Sequence, residues 1–151
     1  MAENLDSDFL FVLYDVARTM RTHADQSARK QGMTRAQWVI LARLERQPGL
    51  SQNELAALAE VAPITIARLV DRLESQGLVE RRTDPMDRRI WRLQLTPRAQ
   101  PVLREIKQYR TRLRDIMTKE IDPSVLDSVL VGLRQMKENL NSSRREAEAA
   151  A

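Results

Sequence analysis

The sequence predicts a mainly α-helical fold in which a helix-turn-helix and a two-stranded wing lie between long terminal helices. Three observations carry that prediction. Apolar residues recur at spacings of three and four through most of the chain, as amphipathic helices require. Two short segments of this kind, Ser51 to Leu58 and Pro63 to Gln76, are separated only by a break at Glu60 and Val61. After Leu78 the period changes to two, across a hairpin loaded with arginine.

Asp8 to about Lys30 reads as the first helix, with Phe9, Val12, Leu13, Val16 and Met20 on one face and Gly32 ending it. Thr34 is the expected N-cap of a second helix through about Arg46. Trp38, Leu41 and Leu44 turn inward there, and Pro48-Gly49 stops it. Ser51 and Glu54 form a capping box for the third helix, with Leu55, Leu58 and Ala59 as its expected buried stripe. Pro63 suits the first turn of the fourth, where a missing N–H loses no partner. Ile66, Leu69, Val70 and Leu73 make the apolar face of that helix and Gly77 its C-cap. A strand from roughly Leu78 to Thr83 pairs with one in which Trp91, Leu93 and Leu95 alternate with Ile90, Arg92 and Gln94, as on a half-buried strand. Asp84, Pro85, Met86 and Asp87 build the turn between them. Thr96-Pro97 opens a long helix lined by Val102, Ile106, Tyr109, Leu113 and Ile116. Asp122-Pro123 opens the last, which carries Val125, Leu126, Val129, Leu130, Leu133, Met136 and Leu140.

The two ends of the chain thus hold more apolar helix than one small winged domain can cover. Pairing two subunits along those faces would bury them and set two reading helices side by side. Residues 1–33 and 97–141 are therefore expected to form a helical dimerisation region, and 34–96 a winged helix-turn-helix that binds DNA. Residues 142–151 lack apolar periodicity and are expected to be a disordered tail.

A chain of 151 residues is long enough for one domain with a core. Lys and Arg number 25 against 21 acidic residues, a net +4 that a homodimer doubles, and it favours a polyanionic partner. Of the 25, 21 are Arg, the side chain suited to phosphate and guanine. With no Cys, disulfides and thiol chemistry are excluded. The run FLFVL is too short to cross a membrane and follows Asp6 and Asp8 instead of basic residues, so a soluble cytoplasmic protein is expected. The four glycines form no phosphate loop, and Glu74 and Glu80 read as solvated charges. No nucleophile has a histidine partner, since His23 is the only histidine. Neither an enzyme, a metal site nor a cofactor is expected.

Three pieces in order, LSQNELA, TIARLVDRLESQGLVER and DPMDRRIWRLQLT, resemble the MarR family of winged helix-turn-helix transcriptional regulators, and the similarity extends over nearly the whole chain. The last piece carries the family's aspartate and two arginines as Asp87, Arg88 and Arg89, then Leu95 and Thr96. The resemblance implies an obligate homodimer that binds a roughly palindromic operator, as a repressor released by a small ligand. There are two departures. Ala99 stands where the family has glycine, and APITIA opens the reading helix with fewer polar groups than is common, hence fewer direct base contacts from its first turn.

Candidate DNA contacts follow from chemistry and position. On the reading helix, Pro63, Ile64, Thr65, Arg68 and Arg72 lie off the buried stripe or at its exposed start. Thr65 suits a phosphate or base, its methyl or Ile64 a thymine methyl, and Arg68 guanine O6 and N7. The plainer alternative pairs Arg68 with Asp71 and Arg72 with Glu74 on a solvated face. Ser51 and Gln52 open the preceding helix, where backbone N–H groups favour a phosphate. In the hairpin, Arg81, Arg82, Arg88, Arg89 and Arg92 stand against Asp84 and Asp87, more arginine than solubility requires. Asp87 is expected to bond within the turn and orient Arg89, which the family pattern places in the minor groove with Arg88 as the alternative. Arg82 suits a phosphate. For an effector, expected to be an aromatic acid or similar amphipathic anion, Arg18, His23, Trp38 and Arg43 are the candidate lining, although His23 reads equally as a surface residue and Trp38 as core. A module that shapes DNA without sequence preference, or that holds another protein, remains the alternative.

Overall fold

The structure, a computed structural model, describes residues 8–59 and 61–150; Asp6 and Glu60 lie outside the described residues. In chain order it has α1 (Phe9–Lys30), α2 (Arg35–Arg46), α3 (Gln52–Ala59), α4 (Pro63–Ser75), β1 (Val79–Thr83), β2 (Trp91–Leu95), α5 (Gln100–Met117) and α6 (Pro123–Ala149). The chain divides into two compact units, Met1–Thr111 and Arg112–Ala151.

Caps set most of the boundaries in the first unit. Asp8 accepts from the backbone N–H groups of Leu10 and Phe11 at 2.8 and 3.3 Å and starts α1. Thr34 and Gln37 form a reciprocal box at the start of α2, and Ser51 and Glu54 do the same before α3, at 2.7 and 3.2 Å. Gly77 adopts φ +70° beyond α4, a left-handed turn that a side chain would strain. The core gathers Ile40, Leu41 and Leu44 from α2, Leu55 from α3, Ile66, Val70 and Leu73 from α4, and Val79 and Leu93 from the strands, none more than 2% exposed. Leu103, Ile106 and Tyr109 of α5 are also buried. At about 1.5–3 kcal/mol per buried aliphatic side chain, this cluster holds the reading elements on a rigid base.

β1 and β2 pair antiparallel with Arg81 opposite Leu93 and Arg82 opposite Arg92. The far edge of β2 is also occupied. Gly49 N–H donates to the Leu93 carbonyl at 3.0 Å, Leu93 N–H donates to Leu50 at 2.9 Å, and Ser51 bridges Arg92. Residues 49–51 lead directly into α3, so the wing is hydrogen-bonded to the helix-turn-helix.

Several local expectations change in the structure. Ala56 takes the buried place beside Leu55, while Leu58 is exposed. Trp91 is exposed because it lies at the outer end of the wing, beyond the reach of α3 and α4. Thr96 does not cap with its side chain; its hydroxyl donates to the Gly77 carbonyl at 2.5 Å, and a 3-10 turn over Pro97–Ala99 precedes α5. Along α5 the buried face runs through Leu103, while Ile116 is exposed.

In the second unit, Asp122 caps α6 through Ser124 N–H at 2.8 Å. No residue of α6 is buried. The helix continues to Ala149, where loss of order after Asn141 was expected. Arg, Glu and Ala are strong helix formers, and the pairs Arg144–Glu148 at 3.7 Å and Arg145–Glu138 at 3.0 Å add to them.

Candidate nucleic-acid interface

α4 has one face committed to the core and one to solvent. Ile66, Val70 and Leu73 are at most 1% exposed, which fixes the rotation of the helix. Pro63, Ile64, Thr65, Arg68 and Arg72 then all stand exposed. The alternative pairings of Arg68 with Asp71 and Arg72 with Glu74 are not made. Both carboxylates turn to Arg81 of β1, whose guanidinium reaches Asp71 at 2.5 Å and Glu74 closer still. Among the described residues Arg68 and Arg72 have no side-chain partner, so α4 presents uncompensated positive charge.

The hairpin arginines fall into two groups. Arg81 also donates from Nε to Gln52 at 2.9 Å, and its side chain is only 18% exposed. Arg92 donates to Asp84 at 2.6 Å and to Glu54 at 2.8 Å. These two clamp the wing to α3 and α4. Arg82, Arg88 and Arg89 face outward. Arg82 pairs locally with Glu80 at 2.5 Å, and Arg88 has no side-chain partner among the described residues. Asp87 accepts from Arg89 three times, from its backbone N–H at 3.0 Å, Nε at 3.1 Å and Nη2 at 3.0 Å, which presents the guanidinium with its side chain 89% exposed. Asp84 closes the turn by accepting from Met86 and Asp87 N–H at 2.7 and 3.2 Å.

From the sequence, DNA contacts are expected of Arg82, Arg88 and Arg89 and no role is assigned to Arg81 or Arg92, the two that turn out to be clamps. A signal was present: period-two alternation puts Arg81 on the face of Val79 and Leu93. Gln52, considered as a phosphate contact, has its amide oxygen occupied by Arg81 and retains its amide donors. Ser51 is half-buried at the start of α3.

These contacts hold several carboxyls below the ordinary carboxylate range. Glu54 is lowered by the Ser51 N–H and hydroxyl and then by Arg92, Asp84 chiefly by Arg92 and then Met86 N–H, and Asp87 by the Arg89 side chain and then its N–H. A carboxyl lowered in the folded state contributes stability at neutral pH and loses it as pH falls through and below the ordinary range. Unfolding midpoints in urea are expected to drop in that window, and Asp84→Asn should flatten the drop. Parallel curves for the two proteins would mean the Asp84–Arg92 contact contributes nothing.

The candidate effector residues differ in their exposure. Trp38 is buried with its ring 5.4 Å from Tyr109, whereas Arg18, His23 and Arg43 are exposed, and Arg18 pairs with Asp15 at 3.0 Å. The hydroxyl pKa of Tyr109 is raised by burial and then by Asp25, which itself lies 3.3 Å from Arg35. Trp38 Nε1, Gln37 Nε2 and Tyr109 Oη are buried without hydrogen-bond partners among the described residues. Those residues also hold no group of three or more His, Asp or Glu suited to a metal ion, and no helix long and apolar enough to cross a membrane.

A family model described as the MarR family matches residues 33–91. The HTH-type transcriptional repressor MdtR of Bacillus subtilis (strain 168) is 31% identical over 123 residues, 79% of either chain. A solved structure described as MarR aligns with TM-score 0.82 and 28% identity, covering 97% of this chain and 99% of that one. A MarR family regulator from Listeria monocytogenes, complexed with 26mer DNA, aligns with TM-score 0.78 over 89% of each chain at 20% identity, a likeness of fold.

Proposed function

The chain belongs to the MarR family and is a DNA-binding transcriptional regulator; from that premise we infer that it acts as a homodimer on an inverted-repeat operator, as a cytoplasmic repressor released by a small organic ligand. The observation that carries the reading is the exposed arginine charge on α4 and on the wing. Among the described residues Arg68 and Arg72 of α4 have no side-chain partner, and Arg88 and Arg89 stand outward on a wing clamped to that helix.

Residues 34–96 read DNA and residues 1–33 and 97–141 pair the subunits. Pro63, Ile64, Thr65, Arg68 and Arg72 enter the major groove. Ser51 and Gln52 meet a phosphate at the start of α3, Arg82 meets another, and Asp87 aims Arg89, with Arg88 beside it, into the minor groove. Support for pairing comes from each terminal helix separately. Phe9, Val12, Leu13 and Val16 of α1 are 38–52% exposed, and Val125, Val129, Leu130, Leu133, Met136 and Leu140 of α6 are 37–73% exposed. The repressor assignment follows the relative described as one. Support for an amphipathic aromatic anion as effector comes from the unpartnered donors in the Trp38–Tyr109 pair, with Arg18, His23 and Arg43 as further basic groups on α1 and α2. Such a ligand releases DNA only by favouring a state that binds DNA less well.

Selection of bound fragments from random duplexes is expected to return an inverted repeat with half-site centres about one helical turn apart. Retention without sequence preference overturns the operator reading in favour of DNA shaping. Arg89→Ala should flatten the slope of log K against log salt by up to about one unit, and Arg68→Ala should relax base preference at one position per half-site. Unchanged binding in both variants would place the reading surface elsewhere. Release from the operator by aromatic acids but not by divalent metals or peroxide checks the effector class.

A further inference from the structure

We propose that Ile64 is a specificity-determining residue that reads thymine through its C5 methyl group, an inference that rests on the operator reading above. Ile64, Arg68 and Arg72 are spaced i, i+4, i+8 and form one ridge on the solvent face of α4. The opposite face is locked by Ile66, Val70 and Leu73, so Ile64 cannot turn inward, and it remains 62% exposed. The ridge is therefore positive along its length and apolar at its leading end. Among the described residues nothing neutralises its charge, because Asp71 and Glu74 are held by Arg81. That combination suits a polyanion carrying an apolar group, and on the major-groove edge of duplex DNA the apolar group is the thymine methyl.

Beside the exposed Thr65 side chain, the first turn of α4 has little else to read with. Its N-cap is Ala62, which offers no side-chain hydrogen bond, and Pro63 has no N–H. The N–H groups of Thr65 and Ile66 both donate to the Ala62 carbonyl, at 2.9 and 3.2 Å. Among the described residues the backbone from Pro63 to Ile66 thus leaves one unpaired N–H, that of Ile64, so this turn reads with the Thr65 side chain and with Ile64, of which Ile64 offers the larger apolar surface. Arg68, one helical turn on, lies where it can take an adjacent base or phosphate.

The test uses the selected operator with each thymine of both half-sites replaced in turn by deoxyuridine, which removes only the methyl group. At one position the wild-type protein should lose about 3- to 10-fold in affinity per half-site, the scale of one buried methyl group. Ile64→Ala should bind the thymine operator more weakly by a similar factor and be indifferent to deoxyuridine there. Ile64→Val should keep part of the discrimination. Unchanged thermal melting of both variants, expected for so exposed a position, separates the effect from folding. A wild-type protein indifferent to deoxyuridine everywhere, or an Ile64→Ala protein that stays sensitive, overturns the proposal alone. Failure to enrich any operator overturns the operator reading and this proposal with it.

Discussion

Val129→Glu combined with Leu133→Glu is expected to yield a monomer in sedimentation at micromolar concentration and to lower operator affinity by at least about 100-fold, the scale gained when two linked half-sites bind together. The two positions are 50% and 41% exposed and four residues apart, so they share one face of α6. Val125, Met136 and Leu140 extend that face along the helix, and α6 has no buried residue at all. Long helices in globular proteins owe most of their stability to a packed apolar face, so a 27-residue helix with none covered calls for a partner surface. Completing the burial of such side chains contributes on the order of 1 kcal/mol each, repeated symmetrically across a two-fold axis. Two carboxylates placed there oppose association far more strongly than the lost apolar contacts alone. Circular dichroism should still show the helices of the first unit. A dimer that survives both substitutions would mean that α6 is not the pairing surface.

The second large effect is expected at Arg81. Arg81→Ala should reduce unfolding free energy by about 1–3 kcal/mol, because it removes charge-assisted bonds to Asp71, Glu74 and Gln52 together. It should also weaken operator binding, since the two carboxylates released from Arg81 lie on α4 beside Arg68 and Arg72 and cancel their charge. Arg89→Ala, by contrast, is expected to alter salt dependence with little change in melting. Arg81→Lys should restore charge but only a minor part of the stability, because an ammonium cannot reproduce the guanidinium fork between two carboxylates and an amide. If Arg81→Ala melts as the wild type does, the clamp holds nothing.

Features whose causes lie within a turn or two of chain are legible from the residues alone. Asp8, Thr34, Ser51 with Glu54, and Asp122 announce helix starts because a cap bonds to N–H groups two or three residues away. Gly77 marks an end because its φ of +70° is a property of one residue. The apolar stripe of α4 is legible for the same reason, and so, by subtraction, is the face that carries Arg68. Alternation hints that Arg81 turns inward, but which carboxylates hold Arg81 and Arg92 is set by packing between distant elements. Arg81 and Arg82 are chemically identical neighbours, yet one is held by Asp71 and Glu74 of another element while the other points to solvent. Arg92 finds Glu54, 38 residues earlier, across the edge of the wing. Leu58, Trp91 and Ile116 kept their apolar identity but not their expected cover. Local periodicity states which side of an element is apolar, whereas burial depends on how far the neighbouring element extends, a relation between residues distant in sequence and joined only by packing.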